Sequence, residues 1–207
     1  MTYSDPKPPF RGDESDRSET DARDVELMAK VSEGDTGAFE ELVERHQRSV
    51  IGTVAKMLGN ASEAEDIAQQ VFVRVWKSAG RYEAQAKFTT WLFTITRNLV
   101  FNEVRRRRRK PTVSVDEREE LTHRTVEDSK AVPPDDGILQ VELEDAIDRA
   151  IKSLPEKQRL AVVLRRYEEM PYDEIAVALS MSVPAVKSLL FRARSQLRES
   201  LQRYLDA

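Results

Sequence analysis

The 207-residue chain contains no cysteine, only seven glycines, and few aromatic residues, which make up 7% of it. Without cysteine, neither a disulfide framework nor a cysteine-based zinc site is possible. The two histidines, His46 and His123, lie far apart in sequence and match no metal-ligand spacing. The scarcity of glycine favours helices over turn-rich sheets. We therefore predict a helical protein and expect neither a metal nor a cofactor.

Long apolar runs are also absent, because no stretch approaches the roughly 18 residues that are needed to cross a bilayer. The N-terminal segment lacks the apolar core of a signal peptide and is rich in proline, serine and charge. We expect residues 1–23 to form a disordered tail. The chain is predicted to act in the cytoplasm without membrane insertion.

Charged residues are abundant, at 34% of the chain, and they are segregated although the net charge is only −4. An unbroken basic run covers residues 105–110, and more arginine and lysine follows within 187–203. Acidic residues concentrate in 116–120 and 135–148. Such segregation allows one surface to bind nucleic acid while another surface stays acidic.

The spacing of apolar residues predicts two helical domains. Within 24–110, apolar residues recur at helical intervals, and a capping box formed by Ser62 and Glu65 predicts a helix start. The periodicity fades in 111–137, where acidic residues and two consecutive prolines indicate a flexible linker. Helical spacing resumes over 138–207. We predict an all-α fold of two small domains joined by a flexible acidic linker.

The pattern of residues 171–198 predicts a helix-turn-helix. A short helix opens at Pro171, and small Ala176 lies where two helices must approach closely. Ser182 is a suitable N-cap for the second helix, and Pro184 fits its first turn. A helix of this kind fits the major groove, and its basic side chains neutralise phosphates. An ordinary helical hairpin with a solvated basic face is the alternative.

The string YDEIAVALSMSVPAVKSLLFRARSQLR resembles the C-terminal domain of the extracytoplasmic-function sigma factors. Their N-terminal domain is similar to three strings here, GDTGAFEELVERHQ, EAEDIAQQVFVRVWKSAGRY and FTTWLFTITRNLVFNEVRRRRR. The resemblance identifies 24–110 with sigma region 2 and 138–207 with sigma region 4. It implies a specificity subunit rather than an enzyme.

The same resemblance implies the partners of the chain. A sigma factor binds core RNA polymerase as a monomer within the holoenzyme and carries it to promoter DNA. Its C-terminal helix reads the minus-thirty-five element as duplex, and its N-terminal domain captures the minus-ten element as melted strand. We also expect a separate helical anti-sigma factor that masks the polymerase-docking faces.

The resemblance gives the N-terminal domain two sets of site residues. Core polymerase would dock on three polar residues of one helix, Asp66, Gln69 and Gln70. The melted strand would contact a tyrosine, two amides and three guanidinium groups, Tyr82, Asn98, Asn102, Arg105, Arg106 and Arg107. Amides match base edges, aromatic rings stack on bases, and arginines neutralise phosphates. Phe88 and Trp91 share an apolar stripe, so we expect both in the core. Plain solvation remains the alternative for the polar residues.

The minus-thirty-five contacts would lie on the second helix of the helix-turn-helix, at Lys187, Ser188, Phe191, Arg192 and Arg198. Lys187 or Arg192 can approach a guanine edge, and Phe191 can contact a thymine methyl group. Two residues depart from the family pattern. Leu189 replaces a frequent arginine and would remove one DNA contact. Ser180 replaces a frequent glycine and would be strained at positive φ.

Other functions remain compatible with the sequence. A stand-alone helix-turn-helix regulator would act as a dimer on palindromic sites, although no dimerisation helix is apparent. A helical adaptor would use its basic faces only for solubility. The acidic linker either mimics nucleic acid inside the polymerase or serves as a solvated tether. No nucleophile–base pair or phosphate-binding glycine loop indicates an enzyme.

Overall fold

Helices dominate the computed structural model, which describes residues 14–84, 86–109 and 134–205. The N-terminal half contains α1 (Glu14–Ser32), α2 (Thr36–Leu58), α3 (Ala61–Ser78) and α4 (Phe88–Arg109). The C-terminal half contains α5 (Pro134–Ser153), α6 (Glu156–Arg166), α7 (Tyr172–Leu179), α8 (Val183–Ser200) and α9 (Gln202–Leu205). A single 3-10 turn, Ala79–Arg81, follows α3. These ranges contain no strand, which confirms the all-α fold class.

Helix α1 starts within the range 1–23 that the sequence predicts to be disordered, so that prediction is wrong from residue 14 onward. Residues 1–13 lie outside the described part. Tertiary polar contacts hold α1 against α2. The fully buried Asp24 carboxylate accepts a hydrogen bond from Arg45 Nε at 2.8 Å and contacts His46 Nε2 at 2.9 Å. The composition of residues 1–23 suggested disorder, because composition alone does not show contacts between residues that are distant in sequence.

The junction of α2 and α3 corrects a second prediction. Gly59 ends α2 in the left-handed conformation, at φ 72°. Asn60 then adopts an extended backbone, and its side-chain oxygen accepts hydrogen bonds from Ser62 N at 3.0 Å and Glu63 N at 3.4 Å. The N-cap is therefore Asn60, and the predicted capping box starting at Ser62 is wrong because the helix has already begun at that residue.

Helix α5 begins four residues before the predicted domain start, so residues 134–137 are helical rather than part of the linker. Proline is well accepted in the first helical turn, where its missing N–H would have no intrahelical partner. The rest of the predicted linker, 111–133, lies outside the described residues.

Apolar residues from both halves form one continuous core. Phe88 is fully buried and Trp91 is partly buried against the core, as their stripe predicts. Helix α4 packs against α7, and α2 packs against α5 and α6. The two halves are therefore in direct contact along much of α2 and α4.

Helices α7 and α8 form the predicted helix-turn-helix, with a bend of 98° between them. This angle lies within the ~90–120° that is typical of the motif. Ser182 caps α8 by accepting a hydrogen bond from Ala185 N at 3.4 Å. Ser180 occupies the left-handed region at φ 53°, as expected from its place in the turn. No single helix in the described ranges is long and apolar enough to cross a membrane. Within these ranges, α7 and α8 together reach that length and apolar composition, but as a bent pair.

Candidate nucleic-acid interface

The solvent-facing side of α8 brings together most of the predicted minus-thirty-five contacts. Lys187, Ser188, Phe191 and Arg192 are exposed and line one open groove. Phe191 is 71% exposed, which is unusual for an aromatic ring on a packed helix. Arg198 is also exposed, but it lies nearer the C-terminus of α8 and does not line this groove.

Besides Leu190, which belongs to the core, Tyr172 and Arg194 also line the groove, and the sequence analysis did not assign either to the site. Arg194 Nη2 donates a hydrogen bond to the Tyr172 hydroxyl at 3.3 Å, and the Arg165 guanidinium lies 5.3 Å from the centre of the Tyr172 ring. Arg194 follows Lys187 by two helical turns, so helical spacing could have identified it. Tyr172 lies on α7, and no local pattern connects it with α8.

Leu189 does not belong to this surface. The residue is 9% exposed and is part of the core cluster. A leucine at this position therefore contributes to packing. The exposed face is formed by other residues of α8, among them Lys187, Ser188, Phe191 and Arg192.

The exposed face of α4 carries Asn98 and Asn102, one helical turn apart. Arg97 donates to the Asn98 amide oxygen from Nε at 3.2 Å and from Nη2 at 2.7 Å. Arg105 Nη2 donates to the Asn102 amide oxygen at 2.9 Å. Because arginine has only donors, these contacts fix the amide oxygens as the acceptors. The amide N–H groups of both asparagines remain to donate to acceptors on a base.

The C-terminal turns of α4 contain the predicted phosphate contacts. Asn102, Arg105, Arg106 and Arg109 line an open groove. Arg106 also forms two 2.7 Å hydrogen bonds with the Glu103 carboxylate. These bonds, with a weaker contribution from neighbouring Arg107, hold the pKa of Glu103 below its usual value. Glu103 therefore stays ionised and partly neutralises the basic face.

Arg107 occupies a different position from the other arginines. Its Nη1 donates to the Leu58 carbonyl at 3.1 Å, and its Nε donates to Glu103 at 3.3 Å. Its Nη2 contacts the Glu63 carboxylate. These contacts join α4 to the α2–α3 junction. The contacts of Arg107 favour a structural role, and its predicted contact with the minus-ten strand stays a prediction.

The ring of Tyr82 packs within an aromatic cluster, although the sequence predicts that it stacks on a base of the melted strand. Its ring packs edge-on against Trp91, with centroids 5.1 Å apart, and against Phe88 at 6.1 Å. Burial is the main cause that raises the pKa of its hydroxyl. In this conformation the ring supports the core, and the predicted stacking on a base would require it to leave this aromatic cluster.

The predicted polymerase contacts Asp66, Gln69 and Gln70 are all exposed on one side of α3. The same side continues to Val73, which is 50% exposed, and Trp76, which is 36% exposed. We call these five residues the α3 face. The sequence analysis missed Val73 and Trp76, although Val73 already departs from the buried stripe of the helix. The described residues include no group of three or more His, Asp or Glu placed to hold a metal ion.

Comparison with known proteins agrees with this architecture. The family model for Sigma-70 region 2 matches residues 42–110, and the model for Sigma-70 region 4 matches residues 144–197. The RNA polymerase sigma-H factor of Pseudomonas aeruginosa is 32% identical over 88% of this chain and 96% of its own length. The ECF RNA polymerase sigma factor SigW of Bacillus subtilis is 33% identical over 86% and 99%, respectively.

Two solved structures share the fold. CnrH in complex with the cytosolic domain of CnrY has a TM-score of 0.63 and 24% identity, covering 87% of this chain and 98% of that one. The sigma factor RpoE of Bartonella quintana, in complex with the anti-sigma factor NepR, has a TM-score of 0.60 and 23% identity, with coverages of 79% and 96%. From the sequence relatives and the two matched regions, we conclude that the chain belongs to the extracytoplasmic-function sigma factors, which serve transcription initiation.

Proposed function

We propose that the chain carries core RNA polymerase to promoters by reading two DNA elements with two separate surfaces. Helix α8 reads the minus-thirty-five element as duplex, and the exposed face of α4 binds the minus-ten element as melted strand. The observation that carries this proposal is the α8 face, where a 71% exposed Phe191 lies between basic residues. Because RNA polymerase is the proposed partner, we also propose that the chain acts in the cytoplasm.

The α8 face has the chemistry of duplex recognition. Lys187 and Arg192 supply donors for guanine edges and phosphates, whereas Phe191 supplies apolar area for a thymine methyl group. The first residues of α8 after its Ser182 cap are the ones that would enter the major groove. Arg194 and Arg198 extend the basic surface toward the flanking phosphates.

The α4 face has the chemistry of single-strand recognition. Asn98 and Asn102 present amide donors because arginines occupy their oxygens. A melted base exposes acceptors that a duplex hides, and such donors can reach them. The exposed Arg105, Arg106 and Arg109 would follow the phosphates of the same strand.

The α3 face is proposed as a docking surface for core polymerase. It combines exposed polar groups with the apolar side chains Val73 and Trp76, and protein interfaces commonly combine an apolar centre with a polar rim. The RpoE structure of similar fold contains its anti-sigma factor NepR. We therefore also propose that a separate anti-sigma factor covers this surface.

A transcription assay with purified core polymerase and a promoter library tests the proposal. Phe191→Ala should change the preferred minus-thirty-five sequence, and Asn98→Ala should change the preferred minus-ten sequence. The control Glu199→Ala alters an exposed residue of α8 that lies outside the groove. Transcripts that do not depend on the protein would refute the proposal. Tight binding to duplex DNA without polymerase would instead support a stand-alone regulator.

A further inference from the structure

Two arginines of α4 hold the amide oxygens of nearby asparagines to different extents. Arg97 donates to Asn98 Oδ1 from Nε at 3.2 Å and from Nη2 at 2.7 Å. These two groups lie on one edge of the planar guanidinium, so both N–H bonds converge on the same oxygen. Arg105 donates to Asn102 Oδ1 from Nη2 alone, at 2.9 Å. The Asn98 oxygen is therefore the more fully occupied of the two.

The remaining contacts of the two arginines explain this difference. Arg105 Nε donates to the Phe101 carbonyl at 3.2 Å, so only one group of its guanidinium is turned toward Asn102. Arg97 is half-buried, whereas Asn98 is exposed. The oxygen of Asn98 is thus held by a half-buried group of the same helix, while its amide remains accessible from solvent.

The occupied oxygen limits what Asn98 can do toward a ligand. An amide oxygen has two lone pairs, and Arg97 fills both of them, so the side chain can act toward a base only as a donor. A free asparagine both accepts and donates, and this combination pairs bidentately with N6 and N7 of adenine. Arg97 removes the accepting half of that pairing.

The four bases differ in what they offer to a side chain that only donates. Guanine, cytosine and thymine each carry at least one carbonyl oxygen, which accepts an amide N–H. Adenine has no carbonyl oxygen, and its acceptors N1 and N7 both adjoin the N6 amino group, which is a donor. Beside an occupied amide oxygen that amino group would lack a partner, and an unpaired polar group in an interface costs free energy. The chemistry of Asn98 therefore suits a base with a carbonyl oxygen.

We propose that Arg97 determines which class of base Asn98 accepts in the melted strand, so that bases with a carbonyl oxygen are favoured and adenine is disfavoured. This role of Arg97 rests on the proposed function, because it requires that the exposed face of α4 contacts unpaired bases. Arg97 acts through Asn98 as a positioning residue. Asn102, whose oxygen keeps one lone pair, discriminates less strongly against adenine at its own position.

Promoter selection with core polymerase and the full-length protein tests this role. Templates are randomised across the minus-ten element, and base frequencies in the transcribed templates are compared with those in the input. Asn98→Ala identifies the position that Asn98 contacts, because base preference should disappear there. At that position the unmodified protein should select against adenine. Arg97→Ala should raise the ratio of adenine to the other bases by at least about fivefold, since bidentate pairing becomes possible.

Two further variants separate the positioning of the amide from charge and from folding. Arg109→Ala is the matched control, because it removes the same charge from an exposed position of the same helix. It should lower the yield of transcript without changing the base preference at the Asn98 position. Arg97→Lys keeps the charge but cannot present two donors on one planar edge, so it should give an intermediate adenine ratio in a fold with unchanged helical circular dichroism.

The outcomes distinguish this role from the function on which it rests. Adenine that stays disfavoured in both Arg97 variants, or that the unmodified protein prefers, would refute the role of Arg97. An equal rise of adenine with Arg109→Ala would refute it as well. If Asn98→Ala leaves base preference unchanged at every position, the proposed reading of the melted strand by α4 is itself overturned.

Discussion

Replacement of Arg107 by alanine tests whether this arginine stabilises the fold while its neighbours bind DNA, as proposed. The hydrogen bond from this guanidinium to the Leu58 carbonyl contributes about 1 kcal/mol to the free energy of unfolding. Its ion pairs with Glu63 and Glu103 are partly exposed, so each contributes only about 0.5 kcal/mol. We expect Arg107→Ala to lower the free energy of unfolding by about 2 kcal/mol.

Thermal unfolding followed by circular dichroism measures this loss. For a chain of this size, about 2 kcal/mol corresponds to a decrease in Tm of roughly 4–8 °C. Arg105→Ala is the matched control, because the hydrogen bonds of Arg105 within the described residues go to Phe101 and Asn102 of its own helix. Its Tm should change little.

The salt dependence of holoenzyme binding to a promoter should be affected more by Arg105→Ala than by Arg107→Ala, which is the opposite of their expected order in thermal stability. Arg105→Ala should reduce the slope of log K against log salt by about one, because one phosphate contact is lost. Arg107→Ala should keep the original slope at temperatures well below its Tm. Equal melting of the two variants, together with a reduced slope for Arg107→Ala, would refute the structural role.

Three further predictions concern α8 and the segment before α7. Phe191→Ala should weaken promoter binding without changing its salt slope, whereas Lys187→Ala should reduce the slope by about one in the same titration. Burial is the main cause that raises the pKa of Glu168, so its contribution to stability is present at low pH and is lost as the pH rises through that raised pKa. Glu168→Gln should therefore be more stable than the unmodified chain at neutral pH, and urea midpoints across the pH range should show this advantage shrinking toward acid. Glu169 adopts φ 51°, so Glu169→Gly should raise the free energy of unfolding by about 1 kcal/mol, and an unchanged urea midpoint would contradict this.

The helix-turn-helix could be predicted from the sequence because its signals are local. The cap Ser182, the first-turn Pro184 and the inward spacing of Val186 and Leu190 all lie within one short segment. Helical spacing also placed Phe191 outside, and its 71% exposure agrees with that prediction.

In the basic run of α4, the sequence did not reveal which arginines face solvent and which contact the rest of the protein. Its arginines are identical in type, but successive residues of a helix point about 100° apart. Arg105 faces solvent, whereas Arg107 turns toward the α2–α3 junction. The early start of α1 and the contacts of Glu168 with Ser49 and Thr53 were missed for a related reason, since the residues that they contact are distant in sequence and leave no periodic signal.

Transcription from a randomised promoter library by core polymerase and the purified protein is the most direct test of the central claim. The templates selected by the protein should share two sequence motifs at a fixed spacing, one read by α8 and one read by α4. Selected templates with a single motif, or an equal yield from core polymerase alone, would contradict the assignment of two promoter-reading surfaces.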